Sequence, residues 1–141
     1  MPDWRAHLAQ ATHNEQFAKN LIENDDGPHD WAVTVTFYAA LHHFDCWLLK
    51  NGTNVLQEAK AKNRSPHVIR GQKARDKLPD AESAIYRTLR QNSELARYLT
   101  TNNQSSSLVS LPSPPAQYFT QTKAARFFAD LETLKAHFGH S

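Results

Sequence analysis

An all-α fold, an antiparallel up-and-down bundle of about five helices, is what the sequence predicts, and three observations predict it. Residues 30–49 form the most apolar run in the chain, and as a helix that run is apolar on more than one face. Three further stretches carry apolar residues at steps of three and four. No stretch of any length alternates with the period of two that a strand requires.

The central run reads Asp30-Trp31-Ala32-Val33-Thr34-Val35-Thr36-Phe37-Tyr38-Ala39-Ala40-Leu41-His42-His43-Phe44-Asp45-Cys46-Trp47-Leu48-Leu49. One helical face carries Trp31, Val35, Tyr38, Leu41, His42, Asp45 and Leu48, and another carries Val33, Phe37, Ala40, Phe44 and Trp47. A helix apolar most of the way round is surrounded by other helices. A membrane span would need about 20 residues free of charge and imidazole. Asp30, His42, His43, Asp45 and Lys50 oppose that, so no membrane partner is expected.

The other elements follow in order. Residues 3–24 read as the first helix, with Asp3 as its N-cap and Trp4, Leu8, Ala11, Ala18, Leu21 and Ile22 at helical spacing. Asn24-Asp25-Asp26-Gly27-Pro28 stops it and restarts the chain, a turn short enough to fold the first two helices antiparallel. The central helix ends at Asn51-Gly52, where Gly52 can take a left-handed conformation. Residues 53–63 permit a short, exposed helical piece. Ser65-Pro66 supplies a cap and a first-turn proline for a third helix running to Leu78, with Lys73, Arg75 and Lys77 as a basic segment. Pro79-Asp80 opens a fourth helix with Ile85, Leu89, Ala96 and Leu99 on one stripe. Residues 100–115 are polar, then proline-rich, and read as a loop. A fifth helix over 116–138 places Ala124, Phe127, Leu131, Leu134 and Phe138 on a packing seam.

The totals bound the function. The chain of 141 residues is expected to be a single domain, 1–141, able to bury a core without disulfides. Its net charge of +2 is too small to argue for nucleic acid by itself. The single cysteine, Cys46, lies in the apolar run and reads as a small buried hydrophobe. The first residues open an amphipathic helix rather than a leader, so a cytoplasmic location is expected.

Phe37-Tyr38-Ala39-Ala40-Leu41-His42-His43-Phe44-Asp45-Cys46-Trp47-Leu48-Leu49, then Gly52, then Ser65-Pro66-His67, resembles the HEPN superfamily, the higher eukaryote and prokaryote nucleotide-binding domain. Ile85-Tyr86-Arg87-Thr88-Leu89 and Ser93-Glu94-Leu95-Ala96-Arg97-Tyr98 extend the resemblance, which covers about residues 5–138. It implies a HEPN-like helical bundle, often a homodimer. It also implies metal-independent RNA cleavage by an arginine followed, after four to six intervening residues, by a histidine, frequently in toxins paired with an antitoxin or in defence systems. Other members only bind. This chain has no arginine and histidine at that spacing: Arg64 to His67 is too short, and Arg5 to His13 too long.

The remaining catalytic candidates are His67, Arg70, His42 and Asp45. Metal-independent cleavage needs a base for the 2′-hydroxyl, an acid for the leaving oxygen and cations for the phosphorane, which histidines and an arginine supply. His42 and Asp45 share a helix face, as do His67 and Arg70 at the head of the third helix. The alternative is that Asp45 accepts a hydrogen bond from His67 or Arg70 as a buried clamp. His43 is expected on a different, partly exposed face. Arg97, Tyr98 and Lys73 are the RNA-binding candidates, arginine for phosphate and tyrosine for base stacking, against the plainer reading of a solvated surface. A metal site built on His137 and His140 is disfavoured, because His140 is expected to fray and no ligand motif accompanies it. No cofactor is expected. The function expected is RNA binding or cleavage; the alternative is a non-catalytic module that oligomerises or holds a partner protein such as an antitoxin.

Overall fold

A computed structural model describes residues 3–98, 100–102, 108–110 and 113–140. The elements in order are α1 (Trp4–Glu23), α2 (His29–Lys50), α3 (Val55–Lys62), α4 (Pro66–Lys77), α5 (Asp80–Tyr98), β1 (Thr100–Asn102), β2 (Leu108–Ser110), α6 (Pro115–Tyr118) and α7 (Gln121–Phe138). The fold is all-α. The five helices expected from the sequence are α1, α2, α4, α5 and α7. The permitted piece over 53–63 is the helix α3, and the stretch expected as the fifth helix opens on a separate single turn, α6.

Side-chain caps set several helix starts. Asp3 accepts from the Ala6 N–H at 3.0 Å, Ser65 from Val68 at 3.2 Å and Thr120 from Lys123 at 3.2 Å. Pro66 occupies the first turn of α4, where its missing N–H costs nothing. Past the end of α2, Gly52 has φ +85°, the left-handed conformation that lets the chain leave the helix.

Named contacts fix the directions of the long helices. The Lys50 ammonium sits 4.3 Å from the Trp4 ring, so α1 and α2 are antiparallel. Tyr86 packs on Phe44 with ring centroids 5.1 Å apart, and Arg97 reaches the Tyr38 hydroxyl at 2.7 Å, so α5 is antiparallel to α2 as well. Gln121 donates to the Ile22 carbonyl at 2.7 Å and Lys135 to Glu15 at 2.8 Å, so α7 runs against α1 and alongside α2. The four alternate up, down, up, down, with α2 packed against α1, α5 and α7. Across the second half of α2 lies α4, which α3 and α5 support.

The main core gathers Phe37, Phe44 and Leu48 of α2 with Ile69, Tyr86, Leu89, Leu131, Leu134 and Phe138. A second cluster near the start of α2 joins Ala32 and Val33 to Leu95, Ala124 and Phe119. Among the described residues no helix is long and apolar enough to cross a membrane.

The structure differs from the sequence expectations at four places in the fold. The fifth helix, expected over 116–138, is interrupted: α6 ends at Tyr118, and α7 starts at Gln121 with Thr120 as its N-cap. Trp31, assigned to an apolar face of α2, is 57% exposed: in that first turn the neighbouring elements cover the Ala32–Val33 side. His43, expected to be partly exposed, is 1% exposed, because α1 and the turn after α7 close over it. Within the stretch 100–115, read as loop, β1 and β2 pair antiparallel, with Thr100 opposite Ser110 and Asn102 opposite Leu108. The rest of that loop at 103–107 and 111–112, and Leu99 of the fourth-helix stripe, lie outside the described residues.

Candidate functional site

Asp45 projects from the second half of α2 toward α4. Arg70, one turn into α4, meets it edge-on: Nε donates to Oδ1 and Nη2 to Oδ2, both at 2.8 Å. Asp45 is 3% exposed and Arg70 7%. This is the bidentate geometry in which a guanidinium and a carboxylate satisfy each other most fully. Burial opposes the Arg70 charge, but Asp45 outweighs it and raises the Arg70 pKa further above its ordinary range.

His42 stands one turn before Asp45 and faces α1, where its Nδ1 lies 3.0 Å from Nδ1 of His7. The His7 Nδ1 is 4.0 Å from Asp45 Oδ2. Burial, then the neighbouring His7, holds His42 below its ordinary pKa. His42, Asp45 and Arg70 therefore meet, joined by His7, which the sequence reading did not name. The signal available was its helical spacing with Ala11 and Ala18 on the packed face of α1.

His67 is set apart from that group. It occupies the first turn of α4, half-buried, and its Nδ1 is enclosed with no hydrogen-bond partner among the described residues. Burial lowers its pKa, and Arg70, Arg90 and Arg97 lower it further while Glu94 opposes them. Arg90 lies where α4 and α5 approach, its Nη1 3.8 Å from the position a Cβ would take on Gly71, and it pairs with Glu94 at 3.2 Å. One turn on, Arg97 donates to the Ser93 carbonyl at 3.2 Å and to the Tyr38 hydroxyl at 2.7 Å. Its guanidinium also lies 5.4 Å from the Tyr38 ring centroid and 4.9 Å from that of Tyr98. Among the described residues these contacts of Arg97 are with neutral groups. Tyr98 is 64% exposed.

The third RNA-binding candidate is placed differently. Lys73 reaches Glu58 on α3 at 3.1 Å, and its side chain is largely covered. Its contact holds α3 to α4.

A second polar group lies between α1, α2 and the turn after α7. His43 contacts Glu15 through Nε2 and His140 through Nδ1, the latter at 2.9 Å from His140 Nδ1. His140 Nε2 lies 3.9 Å from the Cys46 sulfur, and Lys135 pairs with Glu15 at 2.8 Å. The sequence reading took His140 for a frayed residue; its signal was the Gly139 cap, which turns the chain back over α2. These contacts are pairwise, and among the described residues no three His, Cys, Asp or Glu side chains converge as metal ligands.

Chemically, the first group is a locked ion pair with a histidine pair beside it. The His67–Arg97 group is an imidazole within the electrostatic reach of an arginine that lies against an exposed aromatic ring, a combination suited to a phosphodiester and its base. Comparison of the chain with protein-family models, with characterised proteins and with solved structures finds no match.

Proposed function

We propose that the chain is a HEPN-like module that binds single-stranded RNA on the face shared by the start of α4 and the last turns of α5. The observation that carries this reading is the His67–Arg97 group. An unpartnered imidazole nitrogen lies in the field of Arg70, Arg90 and Arg97, and Tyr98 stands exposed beside Arg97. Arg97 takes a phosphate and Tyr98 stacks on the adjoining base. Asp45 and Arg70 act as the clamp that fixes α4 on α2, because a guanidinium already spent on a buried carboxylate is not available to a phosphate. The cellular setting that goes with the resemblance is a toxin–antitoxin or defence system.

A second reading is metal-independent RNA cleavage, and the lowered pKa of His67 favours it. An imidazole held neutral can accept the 2′-hydroxyl proton. The acid for the leaving oxygen would then come from a second copy in a homodimer.

Binding is tested by fluorescence anisotropy with a labelled single-stranded RNA across a salt series. Arg97→Ala is expected to lower affinity about fivefold to tenfold and to reduce the salt slope by about one, as loss of one phosphate contact does. Tyr98→Ala removes one stacking platform and costs about 1–3 kcal/mol. Lys73→Ala leaves affinity unchanged. A folded wild type that binds no RNA at low salt would point instead to a module for oligomerisation or for a partner protein. Incubation of the wild type and His67→Ala with a mixed RNA pool in EDTA separates the two readings. Cleavage that persists in EDTA and disappears in folded His67→Ala establishes a ribonuclease.

A further inference from the structure

The Glu15–His43–His140 group takes no part in that reading, and its hydrogen bonding restricts how many protons it can hold. Gly139, at φ +76°, caps α7 and turns the chain so that His140 lies over α2. There each ring nitrogen of His140 has a neighbour, His43 at Nδ1 and Cys46 at Nε2. The opposite nitrogen of His43 is held by Glu15, which Lys135 also holds. Two proton arrangements satisfy the line. In one, His43 gives a proton to Glu15 and receives one from Nδ1–H of His140. In the other, His43 carries protons on both nitrogens and donates to a bare Nδ1 on His140. The two facing nitrogens cannot both bear protons and stay hydrogen-bonded, because nothing then accepts between them, and when both rings are fully protonated two imidazolium charges also meet at hydrogen-bond distance.

We propose that the turn after α7 is a pH-responsive latch: His140, seated between His43 and Cys46, pins the end of α7 to α2 while the imidazole pair holds at most one added proton, and a second proton releases it. Release lifts the segment containing Phe138 from Phe44 and Trp47, whose rings it covers at 5.8 and 5.4 Å, and opens a path to Cys46. The groups facing His140 bias the step. Glu15 on α1 favours a proton there; His43 and Lys50 on α2 and Lys135 on α7 oppose it. His137 faces away, against Trp47. Burial and the opposing charges push the His140 pKa down to about 4, so the latch is closed at neutral pH and opens only in acid.

Cys46 is the one cysteine in the chain and is buried, which makes its reactivity a direct reading of the latch. The rate of reaction with 4,4′-dithiodipyridine is measured from about pH 7.5 to about pH 4.5, each value divided by the rate for the denatured chain at the same pH, with far-UV circular dichroism alongside. In the wild type the normalised rate is expected to rise about tenfold or more toward the acid end while the helical signal holds. His140→Ala is expected to react at the fast rate already at neutral pH. His140→Gln, which keeps a hydrogen-bonding side chain without a titrating one, is expected to show no acid rise. A flat wild-type profile, an acid rise retained in His140→Gln, or a rise that coincides with loss of helical signal would overturn the latch. The same conclusion follows if folded His140→Ala and wild type react alike at neutral pH.

Discussion

Two full charges at Asp45 and Arg70 sit where water hardly reaches, and their value to the fold depends on staying together. Removing one leaves the other buried and uncompensated, which costs about 3–5 kcal/mol. Asp45→Ala is therefore expected to lower the urea midpoint steeply. The double replacement Asp45→Leu with Arg70→Met, which fills the same space without charge, is expected to recover most of the loss. If the double variant were no more stable than the single one, the pair would be holding something other than its own charges. This pair was within reach of the sequence, because a carboxylate inside an apolar run demands a partner and a cation one turn into the next capped helix can supply it. The His67–Arg97 group was not. Its members come from α4 and α5, and only the approach of those helices over Gly71 brings an imidazole beside the arginines. His43 and His140 escaped for a different reason: 97 positions separate them, and no local pattern marks a contact of that range.

Helices announce themselves through period and punctuation, and here both were strong. Asp3, Ser65-Pro66 and Gly52 each mark an observed boundary, and the seam from Ala124 to Phe138 is the buried face of α7. The β1–β2 pair and the break between α6 and α7 were illegible, since three-residue strands give no period to detect and a two-residue interruption hardly disturbs helical spacing. Phe119 shows the cost: it is fully buried in the second core cluster, yet it sits between α6 and α7, where spacing assigns no face. Within α4, Gly71 occupies a helical interior that its φ does not require to be glycine, and a methyl group there would meet only the Arg90 guanidinium at van der Waals distance. Gly71→Ala is expected to stabilise the protein by about 0.5–1 kcal/mol, read as a higher melting temperature by circular dichroism. A lower melting temperature would mean that α4 and α5 press together more tightly than the separation at Gly71 allows.

Across the whole molecule the groups whose acid-range titration is shifted pull mostly in one direction, with Asp130, raised by burial, opposing them. His42, His67 and His140 all have folded pKa values below the ordinary 6.5, and Glu15, despite its burial, is held below 4.5 by His43 and Lys135. For each, the unfolded chain binds protons more readily than the folded one; the stability tied to the imidazoles is complete above pH 6.5 and falls as pH drops, for His140 toward about 4, while that of Glu15 is lost only below 4.5. Thermal melts at intervals through that window should show a melting temperature that is flat above it and declines within it. A melting temperature that rises on acidification would contradict the burial of these imidazoles. The alternation of α1, α2, α5 and α7 has a consequence during synthesis. The most apolar helix is made early and meets α1 at once, but the faces that α5 and α7 cover have no shelter until those helices leave the ribosome. A growing chain must therefore carry Phe37 and Phe44 without their final neighbours until α5 and α7 have been made, and a ribosome that stalls before α7 emerges leaves a chain prone to aggregate.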